Sequence, residues 1–187
     1  MAFPSVLAYL NGTIENGDAP STIYVASIKG HPEFLKLGFC QLSSRSLRRS
    51  DPYISGFLYD ACKDDDLIAC HGDIARRDAY LVEQYLLELT TSYRETIPAL
   101  AKARWSGYTE TVRINPEAHQ RFVEWVGFTV GNVLMRGDDG LTEMLDQLVV
   151  SAEEREVYGV LREELAQQQA QRMKRLRELG AINAKSL

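Results

Sequence analysis

Residues 21–39 read STIYVASIKGHPEFLKLGF. Ser21 to Ile28 gathers β-branched and aromatic residues in close sequence, which predicts a strand. Lys29-Gly30-His31-Pro32 supplies turn chemistry, and Glu33 to Phe39 then reads as the partner strand of a hairpin. Upstream, Asn11-Gly12 and Asn16-Gly17 are turn dipeptides, so residues 1–20 read as a loop or loose leader ending at Pro20. Downstream, Ser43-Ser44 suit the N-cap of a short helix over Arg45 to Arg49, closed by Asp51-Pro52. Leu67 to His71 reads as a third short strand after the acidic turn Asp64-Asp65-Asp66. Asp73 suits the cap of a helix carrying Leu81, Val82, Tyr85, Leu86 and Leu89 at helical spacing and running toward Ala103, with Pro98 kinking or dividing it. Thr109 to Ile114 alternates as a strand does, and Asn115-Pro116 opens a helix carrying Phe122, Val123, Trp125 and Val126.

Gly137-Asp138-Asp139-Gly140 reads as a turn, and Leu141 to about Leu179 as helix. Gln167-Gln168-Gln169 interrupts its apolar stripe, so a long coiled coil has weak support. The expected fold is α/β: a small, mostly antiparallel sheet flanked by helices, with a helical C-terminal extension. The expected division is a leader over 1–20, a domain over 21–129 and the extension over 130–187.

A chain of 187 residues holds one compact domain of about 100 to 150 residues plus an extension, and its 45% apolar content is ordinary for a globular protein. No apolar run reaches the roughly 18 residues of a membrane span, and Met1-Ala2-Phe3-Pro4 lacks the layout of a signal peptide, so a cytoplasmic location is expected. Cys40, Cys62 and Cys70 are an odd, sparse set that predicts reduced thiols, and they form no C-x2-C or H-x3-H zinc pattern. A net charge of −5 excludes a surface that wraps nucleic acid on all sides. Local basic clusters remain: Arg45, Arg48 and Arg49; Arg76 and Arg77; and Arg172, Lys174, Arg175 and Arg177 near the C-terminus. Each also reads as a solvated helix face.

Tyr24, Lys36, Arg45 and Glu83 are the residue types a phosphodiester-cleaving site needs. A phenol, with a reference pKa of about 10, acts as a base only beside a cation or metal that favours proton loss. Paired strands bring side chains on one face to about 5 Å, which lets Lys36 polarise Tyr24. Arg45 offers a planar donor fork for phosphate, and Glu83 a hard oxygen ligand for Mg²⁺. Read singly, Tyr24 is a strand aromatic, Lys36 and Arg45 are solvated, and Glu83 belongs to a helix surface.

The order of strand TIYVAS, turn, strand FLKLGF, helix with Arg45, strand and helix with Glu83 resembles the GIY-YIG nuclease superfamily. The similarity is to its phage-type branch, whose second tripeptide reads K-I-G or K-L-G, and TETVRINPEAHQRFVEWV resembles that branch's closing segment. It covers roughly Ser21 to Val126. The resemblance implies Tyr24 beside the attacking water, Gly38 where backbone and substrate approach closely, and Arg45 or Arg48 on the scissile phosphate. It also implies Glu83 as the single metal-binding glutamate, for Mg²⁺ or Mn²⁺, and Glu110 as the glutamate of the closing segment. Two positions depart from the family pattern: Thr22 replaces a glycine, and Lys36 stands where many members carry a second tyrosine. Asn115 is a weak match to the family's asparagine.

The leading expectation is therefore a metal-dependent DNA endonuclease with catalytic residues Tyr24, Lys36, Arg45 and Glu83, substrate contacts at Gly38, Arg48, Arg49 and Glu110, and DNA as partner. The tail from Val130 onward contacts DNA phosphates, pairs with a second copy, or packs on the domain. The alternatives are a non-catalytic DNA-binding or interaction module that retains the fold, and an unrelated helical interaction protein.

Overall fold

The structure is a computed structural model and describes residues 6–40, 54–55, 74–105 and 108–184. Arg45, Arg48, Arg49, Cys62 and Cys70, and the strand expected over Leu67 to His71, lie outside the described residues. The elements are α1 (Leu7–Leu10), β1 (Pro20–Ile28), β2 (His31–Cys40), β3 (Ile54–Ser55), β4 (Ile74–Ala75), α2 (Arg76–Leu89), α3 (Pro98–Lys102), β5 (Thr111–Arg113), α4 (His119–Met135), α5 (Asp138–Leu148) and α6 (Ala152–Ala184). The five-stranded sheet has the order β3-β1-β2-β5, with β4 pairing the start of β1, and every pairing is antiparallel. The fold is thus an α/β arrangement of antiparallel sheet and flanking helices, followed by C-terminal helices.

The hairpin forms as its sequence dictates, but with a tighter turn: Ile28 already pairs with His31. Gly30 sits at φ +77, the left-handed region that a glycine adopts without a Cβ penalty. Register places Tyr24 opposite Gly38 and Ala26 opposite Lys36. Strand alternation sends those four residues to one face, and Ile23, Val25, Leu35 and Leu37, all 1% exposed or less, to the other.

The helix expected from Asp73 toward Ala103 is divided. α2 ends at Leu89, where Thr90 turns its hydroxyl back onto the Leu86 carbonyl at 2.7 Å. Pro98 takes the first position of the separate α3, where its missing N–H costs nothing. No side chain caps the start of α2. Its free N–H groups are satisfied instead by the preceding segment: Arg76 donates to the Ala19 carbonyl and Arg77 to that of Gly17, both at 2.9 Å. Residues 6–20 are therefore tied to the domain and are not a loose leader; Val6 is fully buried and Arg77 pairs with Asp18 at 2.8 Å.

The turn expected over Gly137 to Gly140 is instead Gly137, at φ +56, followed directly by α5. Asp138 and Asp139 occupy its first turn, where their charge complements the helix dipole. A Cβ on Gly140 would collide with the Val133 carbonyl oxygen, so glycine is what lets α5 meet the end of α4. The continuous helix expected from Leu141 breaks before Ser151. Ser151 Oγ accepts from the Glu154 N–H at 3.0 Å, and the Glu154 carboxylate accepts from the Ser151 N–H at 2.8 Å, a reciprocal cap that starts α6. α4 runs unbroken through position 130, and the first compact unit ends at Leu148, not at 129; the second is residues 149–187. Among the described residues no helix is long and apolar enough to cross a membrane.

Candidate active site

β5 is short, and that shortness creates the site. It pairs with β2 only over Phe34 to Lys36, with one further bond from the Leu37 N–H to the Glu110 carbonyl at 3.0 Å. Phe39 lies two residues on, so its N–H points to the same side, beyond the end of β5. The Glu83 carboxyl, reaching from α2, accepts that N–H. α2 is held in place there by Tyr80 against Phe39, edge to face with ring centroids 6.2 Å apart, one helical turn before Glu83. Glu83 belongs to the apolar stripe of its helix, between Ala79 and Leu86, and is 7% exposed.

Lys36 enters the same corner from the sheet face and is 6% exposed. Its ammonium donates to Glu110 and lies 5.8 Å from the centroid of the Tyr24 ring and 5.5 Å from that of Trp105. The direct partner of Lys36 is thus Glu110, with Tyr24 a diagonal neighbour. Glu110 is held in turn by its flanks: Arg94 donates to the Thr109 carbonyl at 2.9 Å, and the Thr111 hydroxyl to the Glu95 carbonyl at 2.5 Å.

Glu110 is paired with the Lys36 ammonium, and Glu83 lies near enough to feel the charge of both. Burial pushes the Glu83 carboxyl up to about 8; repulsion from Glu110 adds to this, while Lys36, the Phe39 N–H and Gln84 oppose it. The shift favours the protonated form of Glu83 at neutral pH. A divalent cation would favour release of that proton, and one or two carboxylates with several waters are what Mg²⁺ takes from a protein. Among the described residues no group of three or more His, Cys, Asp or Glu converges.

The ring of Tyr24 lies across Gly38. A Cβ there would sit 2.6 Å from the Tyr24 hydroxyl oxygen and 2.7 Å from its Cζ. The close approach at Gly38 is therefore made by Tyr24 itself. Gly38→Ala is expected to displace the ring and cost about 1 to 3 kcal/mol of stability, and Tyr24→Ala should cancel much of that cost in the double variant. Thermal melts of the four proteins check it; additive losses would show that the two residues do not touch.

The structure therefore brings Tyr24, Lys36, Gly38, Glu83 and Glu110 together. It leaves Asn115 apart, as a cap whose side chain accepts the Glu117 N–H at 3.1 Å. Arg45, Arg48 and Arg49 lie outside the described residues. Trp105, 7% exposed, joins the cluster without any spacing or motif to announce it; a lone tryptophan after an Ala-Lys-Ala-Arg run was the only available signal. Compared with known proteins, the chain matches no family model, no curated protein and no solved structure.

Proposed function

We propose that this chain is a metal-dependent DNA endonuclease of GIY-YIG type, hydrolysing phosphodiester bonds at the Tyr24–Lys36–Glu83–Glu110 cluster. One observation carries the reading: these four residues, far apart in sequence, meet at the open edge of β2. Glu83, with Glu110 beside it, would hold Mg²⁺ or Mn²⁺, which when bound supplies charge stabilisation on the phosphoryl oxygens. Tyr24, as a phenolate whose own proton has first passed to solvent, takes the proton of the attacking water as the water oxygen bonds to phosphorus and the bond to the leaving oxygen breaks, the leaving oxygen drawing its proton from solvent. Lys36 lowers the cost of that phenolate, and Arg45 holds the phosphate. The cytoplasm, where the cysteines stay reduced, is the compartment this reading assigns.

α6 is the DNA handle. Lys174, Arg175 and Arg177 are exposed near its end, and the helix has almost no amphipathic asymmetry, which favours phosphate contact over pairing with a second copy. Neutralising Arg172, Lys174, Arg175 and Arg177 should weaken DNA binding and lower the slope of log affinity against log salt by about 0.9 for each phosphate no longer neutralised. Single-turnover cleavage at saturating protein should keep its rate.

A second reading, a DNA-binding module without catalysis, is favoured by the burial of Tyr24, Lys36 and Glu83, each 7% exposed or less. Supercoiled plasmid incubated with the protein and Mg²⁺, Mn²⁺ or EDTA decides between them. Nicked or linear product with either metal and none with EDTA supports the nuclease; intact plasmid with both metals, bound by the protein in a gel shift, overturns it in favour of the second.

A further inference from the structure

A groove of about 430 Å³ runs between the end of α2, β5 and the first turns of α4. Leu89, Tyr93, Arg113, Arg121, Phe122 and Trp125 line it, and no carboxylate stands among the lining residues. In a chain of net charge −5, a concave surface whose lining holds two arginines and no acid, one of them Arg121 exposed at the rim, departs locally from the sign of the whole. Arg113 is engaged by Glu95 at 3.3 Å outside the lining, while Arg121 is exposed at the rim. Its aromatics are open to solvent: Tyr93 is 56% exposed and Trp125 38%. Phe122 and Trp125 form a wall with ring centroids 5.6 Å apart and planes tilted by 36°.

We propose that this groove takes an unpaired stretch of a DNA strand, stacking a base on Trp125, Phe122 or Tyr93 while Arg121 and Arg113 meet the flanking phosphates. Aromatic faces with guanidinium groups are the chemistry that holds single strands without reading sequence. A protein or lipid partner would leave Arg121 unmatched unless it were itself acidic. The groove also lies close to the site. Arg113 projects from the same sheet face as Lys36, opposite Phe34, two residues along β2. Two strand residues span about 7 Å, and the step from Glu83 to Thr90 is two helical turns, about 10 Å. The groove and the cluster are thus about 7 to 10 Å apart along these two elements. This assignment rests on the nuclease reading for its biological sense, but not for its test.

The test is fluorescence anisotropy of a labelled 12-nucleotide single strand, and of its duplex, in EDTA so that nothing is cut. Trp125→Ala is expected to weaken single-strand binding roughly 5- to 150-fold, the range that follows from removing one stacked base, and Arg121→Ala to weaken it and to lower the slope of log affinity against log salt by about 0.7, as the loss of one phosphate contact requires. Their effect on the duplex should be smaller. Phe128→Ala, at a position 72% exposed on the same helix but outside the groove, should leave both affinities unchanged. Arg121 is a surface side chain, so its variant tests the groove even if Trp125→Ala perturbs folding. Wild-type affinity in both groove variants overturns the proposal. So does a wild-type dimer that Trp125→Ala dissociates, which would make the groove a self-association surface. Plasmid cleavage is read separately: groove-dependent strand binding without cleavage would remove the nuclease reading alone, and cleavage with unaltered groove variants the groove alone.

Discussion

Lys36→Met is expected to lower stability by about 2 to 4 kcal/mol and to stop cleavage. Removing one partner of a buried ion pair leaves the other charge uncompensated, at a cost of about 3 to 5 kcal/mol when both are deeply buried. Here Lys36 is 7% exposed at its side chain, but Glu110 is 26% exposed and regains some water, which brings the effect about 1 kcal/mol below that range. For a chain of this size the melting temperature should fall by roughly 5 to 15 °C. Glu110→Gln in the Lys36→Met background should recover part of it, because the orphaned charge is then gone. An unchanged melting temperature in Lys36→Met would show that the Glu110 pair contributes nothing to the fold.

Glu83→Gln should separate stability from activity, with a sign that depends on pH. The Glu83 carboxyl is raised from 4.5 to about 8, so between those values the folded chain keeps a proton that the unfolded chain has released. Stability from this group is therefore fully present below about pH 4.5 and falls as pH rises toward 8. Glutamine has no proton to lose and still accepts the Phe39 N–H. The variant should melt close to wild type at pH 5 and progressively above it toward pH 8, by as much as about 1.4 kcal/mol per pH unit. Mg²⁺ should narrow the gap at pH 8 by stabilising the wild type alone. Parallel melting curves across pH would show that Glu83 is not held protonated.

The parts of this protein that could be read in its sequence are those set by local pattern. The hairpin follows from Ser21 to Phe39 because β-branched alternation and a Gly-containing turn need no distant partner. Glu83 and Glu110 are marked in the sequence only by the resemblance to the GIY-YIG order of motifs; read alone, Glu83 belongs to a helix surface, where the structure leaves it only 7% exposed. The Lys36–Glu110 pair was not legible, since 74 residues separate the two and only the sheet register joins them. Nor was the start of α2, which is satisfied by the carbonyls of Gly17 and Ala19 where the sequence signal for a cap is a side chain. The break before α6 was readable as Ser151-x-x-Glu154, but helical composition on both sides conceals it.

If the buried cluster at the edge of β2 hydrolyses phosphodiesters with Glu83 as metal ligand, replacing that one carboxylate must remove the chemistry and spare the binding. Single-turnover cleavage of plasmid DNA in Mg²⁺, by wild type and Glu83→Gln purified alike, puts this to the proof. Wild type should cut and the variant should be slower by about 1,000-fold or more, since several kcal/mol of charge stabilisation go with the metal, while both bind DNA equally. Equal cleavage rates from the two proteins would rule Glu83 out as the metal ligand and the cluster out as the catalytic centre.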